Sequence, residues 1–374
     1  NLIKSIKDRT NVIYINFEDE RINLGMKDLD LIFQAYFELY PEKKEKDLFL
    51  FFDELQEVPG WEKFVRRVYD TITQKIFLTG SSAKLLSKEI ATSLRGRTIS
   101  YELYPLSFRE YLEFRGIEVE QNTTKGLAKI KKELNDYLFN GAFPELVNFR
   151  DELRRKSLND YLDVMIYRDL IERYNLSNSS SLNEFVKKLL VNPAQEISIN
   201  KIYNSFRSQG IKLSKDMIYQ YVGYLEDAFI IFPLKNYSES LVKQNIKKFY
   251  PVDPGLSTNN FVTLNEEYGK LLEVVCYLEF KRKGKEIYYF NDGSECDFIL
   301  KDKNKIVSAI QISKSLKENK TREREVNGLL NAMKRFNLKK GYIISKDEKD
   351  SFSIEGKKIF VVPVWKFLLE GNLK

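Results

Sequence analysis

Apolar stretches of strand length punctuate the start of the chain. Val12 to Phe17 ends in Glu18 and Asp19, Leu48 to Phe52 ends in Asp53 and Glu54, and Lys75 to Leu78 runs into the small polar turn Thr79-Gly80-Ser81-Ser82. Runs of this length, bounded by polar residues, read as buried parallel strands. Between the second and third lies Trp61 to Thr71, with apolar positions at helical spacing. Strand, helix and strand in alternation imply a parallel sheet whose ligand site lies at the carboxyl ends of its strands. From about Leu153 to Leu190 the pattern turns helical, with Tyr161, Val164, Ile166, Leu170 and Ile171 on apolar faces and Arg168-Asp169 between them. Asn175 to Ser181, rich in Asn and Ser, reads as a loop and hinge.

Further along, a helix is expected at Ile199 to Gln209, a turn at Gly210, a helix at Ser214 to Ala228, and strands at Ile230 to Leu234 and Lys247 to Pro251. That order suits a winged helix. The N-terminal half of its second helix presents Lys215, Tyr219 and Gln220, residue types that contact phosphates and bases. The basic excess of this segment is mild, and winged helices also bind proteins, so both partners stay open. The last part predicts a helix from Gly269 carrying Glu273, then strands at Glu286 to Phe290, Cys296 to Leu300 and Ile306 to Ile312. A helix at Thr321 to Phe336 and strands at Gly341 to Ser345 and Lys358 to Val362 follow.

Composition narrows the chemistry. With 374 residues and 43% apolar content, the chain is large enough for two or three packed domains. Lys and Arg outnumber Asp and Glu by 61 to 54, an excess that fits a nucleotide or nucleic-acid partner and equally a highly charged solvated surface. The two cysteines, Cys276 and Cys296, are too few for a disulfide framework and suit a reducing compartment, so a cytoplasmic location is expected. No apolar run reaches the ~20 residues of a membrane span. The absence of histidine excludes imidazole catalysis and leaves carboxylates, Lys, Arg and hydroxyls.

Among these the pair Asp53-Glu54 stands out, because the strand Leu48 to Phe52 delivers both carboxylates to the ligand end of the sheet. This is the Walker B pattern: Asp53 holds the shell of a magnesium ion, and Glu54 polarises the water that attacks a phosphoryl group. Acidic pairs after strands also serve as ordinary caps. Ser81 or Ser82 can set a hydroxyl beside the phosphate, or can cap a helix. Arg95 and Arg97, in Ser93-Leu94-Arg95-Gly96-Arg97, can stabilise charge on a transferred phosphoryl group, or can form a solvated basic turn.

The sequence resembles the archaeal-type AAA+ ATPases that carry a C-terminal domain of unknown function. The resemblance rests on Val12 to Asp19, Phe52-Asp53-Glu54-Leu55-Gln56-Glu57-Val58-Pro59-Gly60-Trp61, Leu78 to Ser82, Leu94 to Arg97, Tyr104 to Tyr111 and Gly141-Ala142-Phe143-Pro144-Glu145. It implies that Asp53 and Glu54 are the Walker B pair, that Ser81 or Ser82 is the sensor, and that Arg97 or Arg95 is the arginine finger. It also implies a helical lid in which Arg168 contacts nucleotide, although an intrahelical or interhelical ion pair is the favoured reading of that residue. ATP and magnesium are the implied cofactors, with double-stranded DNA or a protein client as partner, no membrane, and a homo-oligomer if the finger acts in trans. The sequence departs from the family in one respect: it contains no Gly-x-x-x-x-Gly-Lys-Ser/Thr loop to cradle phosphates. The reading expects that loop upstream of Asn1, with Asn1 to Lys7 as the end of the helix that follows it; a naturally loopless ATPase is the alternative.

The last domain resembles the PD-(D/E)xK nuclease core. Glu273 and Asp297 match its acidic positions, but the third strand reads Gln311-Ile312-Ser313-Lys314, with Gln in place of the acid and Ser in place of the lysine. Strand alternation turns Lys314 away from the site. A degenerate nuclease centre that binds DNA or a partner is therefore expected. The resulting fold class is α/β: an AAA+ core with a parallel sheet lacking its first strand and phosphate loop (1–115), a helical lid (116–191), a winged helix (192–262) and an αβββαβ restriction-endonuclease-like domain (263–374). Overall, the sequence reads as an AAA+ ATPase coupling ATP hydrolysis to a nucleic-acid or protein partner, or else as a binding protein built from inactivated ATPase and nuclease domains.

Overall fold

A computed structural model describes residues 2–22, 24–80, 94, 96–176, 179–259 and 268–373. The chain forms two compact units, Asn1–Tyr101 and Glu102–Lys374. Ser81, Ser82 and Arg95 lie outside the described residues.

In the first unit, strands β1 (Val12–Asn16), β2 (Phe49–Asp53) and β3 (Ile76–Leu78) form a parallel sheet in the order β1-β2-β3. Helices α1 (Leu31–Leu39) and α2 (Trp61–Thr71) are the crossovers. Strand alternation sorts β2: Leu50 and Phe52 are fully buried on one face, where Phe52 meets Phe64 of α2 and Phe64 stacks on Phe33 of α1. On the other face Phe51 stacks on Phe77 at 4.7 Å. This core fixes β2 as the central strand, so its carboxyl end projects Asp53 between the ends of two neighbours. The segment Leu2–Ser5 is one helical turn ahead of β1.

The second unit begins with α3 (Phe108–Phe114), started by a capping box between Ser107 and Glu110, and α4 (Thr124–Asn140). Arg109 of α3 donates to the Leu369 carbonyl, so this helix packs with the second unit. Helix α5 (Asp151–Val164) continues into a π-helical stretch, Met165–Glu172, and α6 (Ser179–Val191) follows. The expected loop at Asn175 to Ser181 is too long: Ser179 to Ser181 are the first turn of α6. Ser181 lies a turn ahead of Phe185 on the same buried face, and that periodicity outweighs the loop-like composition.

Strand β4 (Glu196–Ser198), helices α7 (Ile199–Ser208) and α8 (Lys215–Asp227), and strands β5 (Ile231–Lys235) and β6 (Ile246–Pro251) come next. The three strands form an antiparallel sheet in the order β4-β6-β5. Ser198 and Ser214 cap the two helices through their hydroxyls. After α9 (Pro254–Thr258) and α10 (Tyr268–Arg282), strands β7 (Glu286–Asn291), β8 (Glu295–Asp302), β9 (Lys305–Ser313), β10 (Lys340–Ser345), β11 (Asp350–Ile354) and β12 (Lys357–Pro363) form one mixed sheet ordered β11-β12-β10-β9-β8-β7. Helix α11 (Asn319–Arg335) precedes β10 and α12 (Val364–Glu370) follows β12. Strand β11 escaped the sequence reading because Phe352 and Ile354 are its only apolar side chains, too few to mark a two-residue repeat.

Helix α10 is buried on every side from Leu271 to Phe280. A helix enclosed this way carries its polar residues into the interior, and Glu273 is one of them.

Candidate functional site

The first candidate site lies at the carboxyl end of the three-stranded sheet. Asn16 of β1 stands in register with Asp53, and the Phe17 N–H donates to the Asp53 carbonyl at 2.9 Å. The Asp53 carboxylate accepts the Tyr14 hydroxyl at 3.0 Å on one oxygen and the Thr79 hydroxyl on the other. A residue from each flanking strand end thus orients it. The bond to Asp53 also raises Tyr14 above the usual phenol range. Glu54 has a φ of 52°, a left-handed conformation uncommon for a side chain with a Cβ. Its N–H donates to the Thr79 carbonyl at 3.1 Å, and its carboxylate accepts from the Gln56 side chain. The chain therefore turns sharply at Glu54, and the two carboxylates leave the strand on a braced frame. Strain of this kind persists where the surroundings fix it, and it concentrates at working sites. Sequence reasoning missed Tyr14 and Gln56 as partners; the register of β1 against β2 supplies the first.

Arg97 does not join this pair. Its guanidinium bonds Asp70 and lies 5.4 Å from the Tyr69 ring. Asp70 is in the last turn of α2, a helix that starts beside the acid pair and runs about 16 Å away from it at 1.5 Å per residue. The structure thus pairs Arg97 with Asp70 at the other end of α2 from the acid pair. The β2–α2–β3 crossover carries the end of α2 to the opposite edge of the sheet, which the spacing of acid and Arg along the chain does not show.

In the second unit, Arg168 is exposed on the π-helical stretch. Lys215, Tyr219 and Gln220 are exposed together on the first half of α8, with the Lys215 ammonium 5.4 Å from the Tyr203 ring of α7.

The second candidate site is buried. Glu273 of α10 and Asp297 of β8 come together as expected, but around a residue that sequence reasoning did not single out. The Lys248 ammonium, on β6 and 1% exposed, lies 2.8 Å from Glu273, 3.0 Å from Asp297 and 2.5 Å from Glu295. The Tyr250 hydroxyl donates to Glu273 at 2.6 Å, and the Asp297 carboxylate accepts the Ile312 N–H at 2.8 Å. Gln311 accepts from the Asp297 N–H at 3.3 Å and donates to Glu325 of α11 at 2.5 Å. Lys314 points elsewhere, over the Tyr268 ring.

The electrostatics of this centre follow from its burial. Desolvation opposes charge on Lys248, yet Glu273 and Asp297 overcome it and hold the ammonium well above the lysine range. Burial, helped by the Asp297 carboxylate, pushes Glu273 up to about 8 against the pull of Lys248. Burial likewise raises Glu295 and Glu325. One fixed cation faces several carboxyls, and burial opposes charge on Glu273. Among the described residues, no group of three or more acidic or cysteine side chains is placed to hold a metal ion.

A family profile described as an AAA domain matches residues 1–112, and two domains of unknown function, DUF8612 and DUF4143, match 131–265 and 268–367. The uncharacterized protein MJ1544 of Methanocaldococcus jannaschii is 37% identical over 98% of this chain and 83% of its own length. An uncharacterized protein of Haemophilus influenzae is 30% identical over 95% of this chain and 86% of its own. Among solved structures, the Walker-type ATPase PABY2304 of Pyrococcus abyssi is similar at 17% identity with a TM-score of 0.37, over 66% of this chain and 72% of that one. No helix among the described residues is long and apolar enough to cross a membrane. The acid pair lies within the AAA match, and with near-complete coverage at 37% identity the chain belongs to the family of MJ1544, with an AAA domain at residues 1–112.

Proposed function

We propose that this protein is an AAA+-type ATPase that couples ATP hydrolysis to a nucleic-acid or protein partner. The observation that carries this reading is the braced acid pair at the carboxyl end of the central strand of a parallel sheet, inside the AAA match. The donor set fits a nucleotide-bound magnesium ion, which takes one or two carboxylates together with phosphate oxygens and water. Asp53 would hold the ion, which supplies charge neutralisation on the transferred phosphoryl group when bound. Glu54 accepts a proton from, or polarises, the attacking water. Tyr14 and Thr79 keep Asp53 aimed, and Gln56 keeps Glu54 aimed.

The sequence carries no phosphate-cradling loop, so these 374 residues alone are expected to bind ATP weakly. Arg97, at the far end of α2, suits a finger offered to a neighbouring subunit and hence a homo-oligomer. Residues 116–191 read as a helical lid. The β4-α7-α8-β5-β6 order supports a winged helix, whose exposed Lys215, Tyr219 and Gln220 would meet DNA or a protein.

For the C-terminal part a second reading is favoured, that of a nuclease-like core serving for binding. The observation behind it is Lys248 seated among the acidic residues, with Gln311 in the place of a ligand carboxylate.

ATP turnover tests the main proposal. It is measured for this chain and for a version that supplies a Gly-x-x-x-x-Gly-Lys-Ser/Thr loop ahead of β1, each with and without duplex DNA. Turnover by the loop-bearing version, stimulated by DNA, is expected; no turnover in either would move the assignment to a non-catalytic binding protein.

A further inference from the structure

The acidic centre of the C-terminal domain is closed by a residue from outside that domain. Glu273, Glu295 and Asp297 belong to α10 and β8, whereas Lys248 lies on β6, in the middle of the preceding three-stranded sheet. Its ammonium is 2.5 to 3.0 Å from three carboxylates, with the Tyr289 ring 5.7 Å away. A divalent cation bound by these oxygens would need the same space. It would also meet the ammonium charge at contact distance, a like-charge repulsion that burial strengthens. Further donors occupy part of the same oxygens: Tyr250 donates to Glu273, and the Ile312 N–H to Asp297. At the position where a third ligand carboxylate would stand, Gln311 bridges the Asp297 backbone and Glu325 as a neutral donor and acceptor. With Lys248 in place, the residues of this centre do not fit a metal ion.

We propose that Lys248 is the resident cation of the C-terminal acidic centre, standing where a divalent metal would be needed and locking the β4-β6-β5 sheet to the six-stranded domain. The consequence is a protein in which the helix-and-wing segment and the acidic domain are one mechanical piece. A force or conformational change delivered to either is carried to the other through a buried ion pair. No metal enters the acidic centre while the lysine is present. This inference rests on the geometry of the second unit and not on the ATPase reading.

The test uses the full chain and Mn2+ as the probe, followed by electron paramagnetic resonance and by thermal melting. Wild-type protein is expected to bind no Mn2+ at this centre, and its Tm should be the same in EDTA and in millimolar Mn2+. Lys248→Ala, which vacates the space, should gain one bound Mn2+ per chain and lose it again when Asp297→Asn is added. If Lys248→Ala fails to fold, the wild-type chain and Asp297→Asn decide alone: Asp297→Asn should lower Tm by roughly 6–20 °C equally with and without Mn2+. The proposal is overturned by a wild-type chain that Mn2+ stabilises through Asp297. It is equally overturned by a folded Lys248→Ala chain that binds no Mn2+, or by an Asp297→Asn chain whose Tm is unchanged.

Discussion

The two acidic clusters of this molecule are built from the same residue types and are opposite in design. At the carboxyl end of the central strand β2, the Asp53 carboxylate is oriented by two hydroxyls and that of Glu54 accepts from one amide. Between β6, α10 and β8, Glu273, Glu295 and Asp297 close around an ammonium that is 1% exposed. The first arrangement aims the Asp53 carboxylate with neutral donors. The second has its counter-charge built in. Hydroxyl and amide donors aim a carboxylate without neutralising it, whereas a buried lysine satisfies it and adds to the fold instead. A carboxylate cluster therefore reads as functional or structural by the partner it already has.

Substitutions can break this comparison. The largest expected effect is at the open cluster: Asp53→Ala should lower ATP turnover of the loop-bearing protein about 10²–10³-fold, the size of loss seen when one electrostatic contact to a transferred group is removed. Its Tm should stay within a few degrees, because no buried charge is left unpaired. The closed cluster should behave in reverse. Lys248→Met strands buried carboxylates at a cost of about 3–5 kcal/mol, which differential scanning calorimetry would read as a Tm lower by roughly 6–20 °C.

A third prediction concerns pH. Glu273 has a folded pKa of about 8, above its ordinary 4.5, so the folded state binds the extra proton between those values. Its contribution to stability is complete below pH 4.5 and is lost as pH rises through 8. Asp253, buried and raised to about 6, acts in the same direction, but its effect is spent by about pH 7. Chemical denaturation between pH 7 and 9 should therefore show stability falling with pH, and Glu273→Gln should flatten that slope. A slope unchanged in Glu273→Gln would remove Glu273 from the account. The smallest effect is expected at Tyr14: Tyr14→Phe leaves Asp53 with the Thr79 hydroxyl alone and should reduce turnover about three- to tenfold, the worth of one hydrogen bond.

Much of the fold was legible because its signals are local. The runs at Val12, Leu48 and Lys75 became β1 to β3, and Trp61–Thr71 formed the helix that its spacing predicts. Ser214 capped α8 as its position suggests. The acid pair was legible too, since a strand delivers its C-terminal neighbours to the sheet end whatever surrounds it. What the sequence did not show depends on long-range meetings. Lys248 lies 25 residues from Glu273 and 49 from Asp297, and in sequence it is one basic residue in Lys247-Lys248, indistinguishable from its half-buried neighbour Lys247. Only the antiparallel register of β6, with Lys248 opposite Leu234 and Glu196, turns its side chain inward. The pairing of Arg97 with Asp70 is another such meeting, made across 27 residues of sequence.

The central claim is that the acid pair at the end of β2 performs water activation for phosphoryl transfer. ATP hydrolysis by the loop-bearing protein and by its Glu54→Gln variant, measured alongside ATP binding, tests it most directly. The account predicts turnover abolished with ATP still bound, because Glu54 acts on the water and Asp53 remains to hold the magnesium. Equal turnover in the two proteins would contradict it.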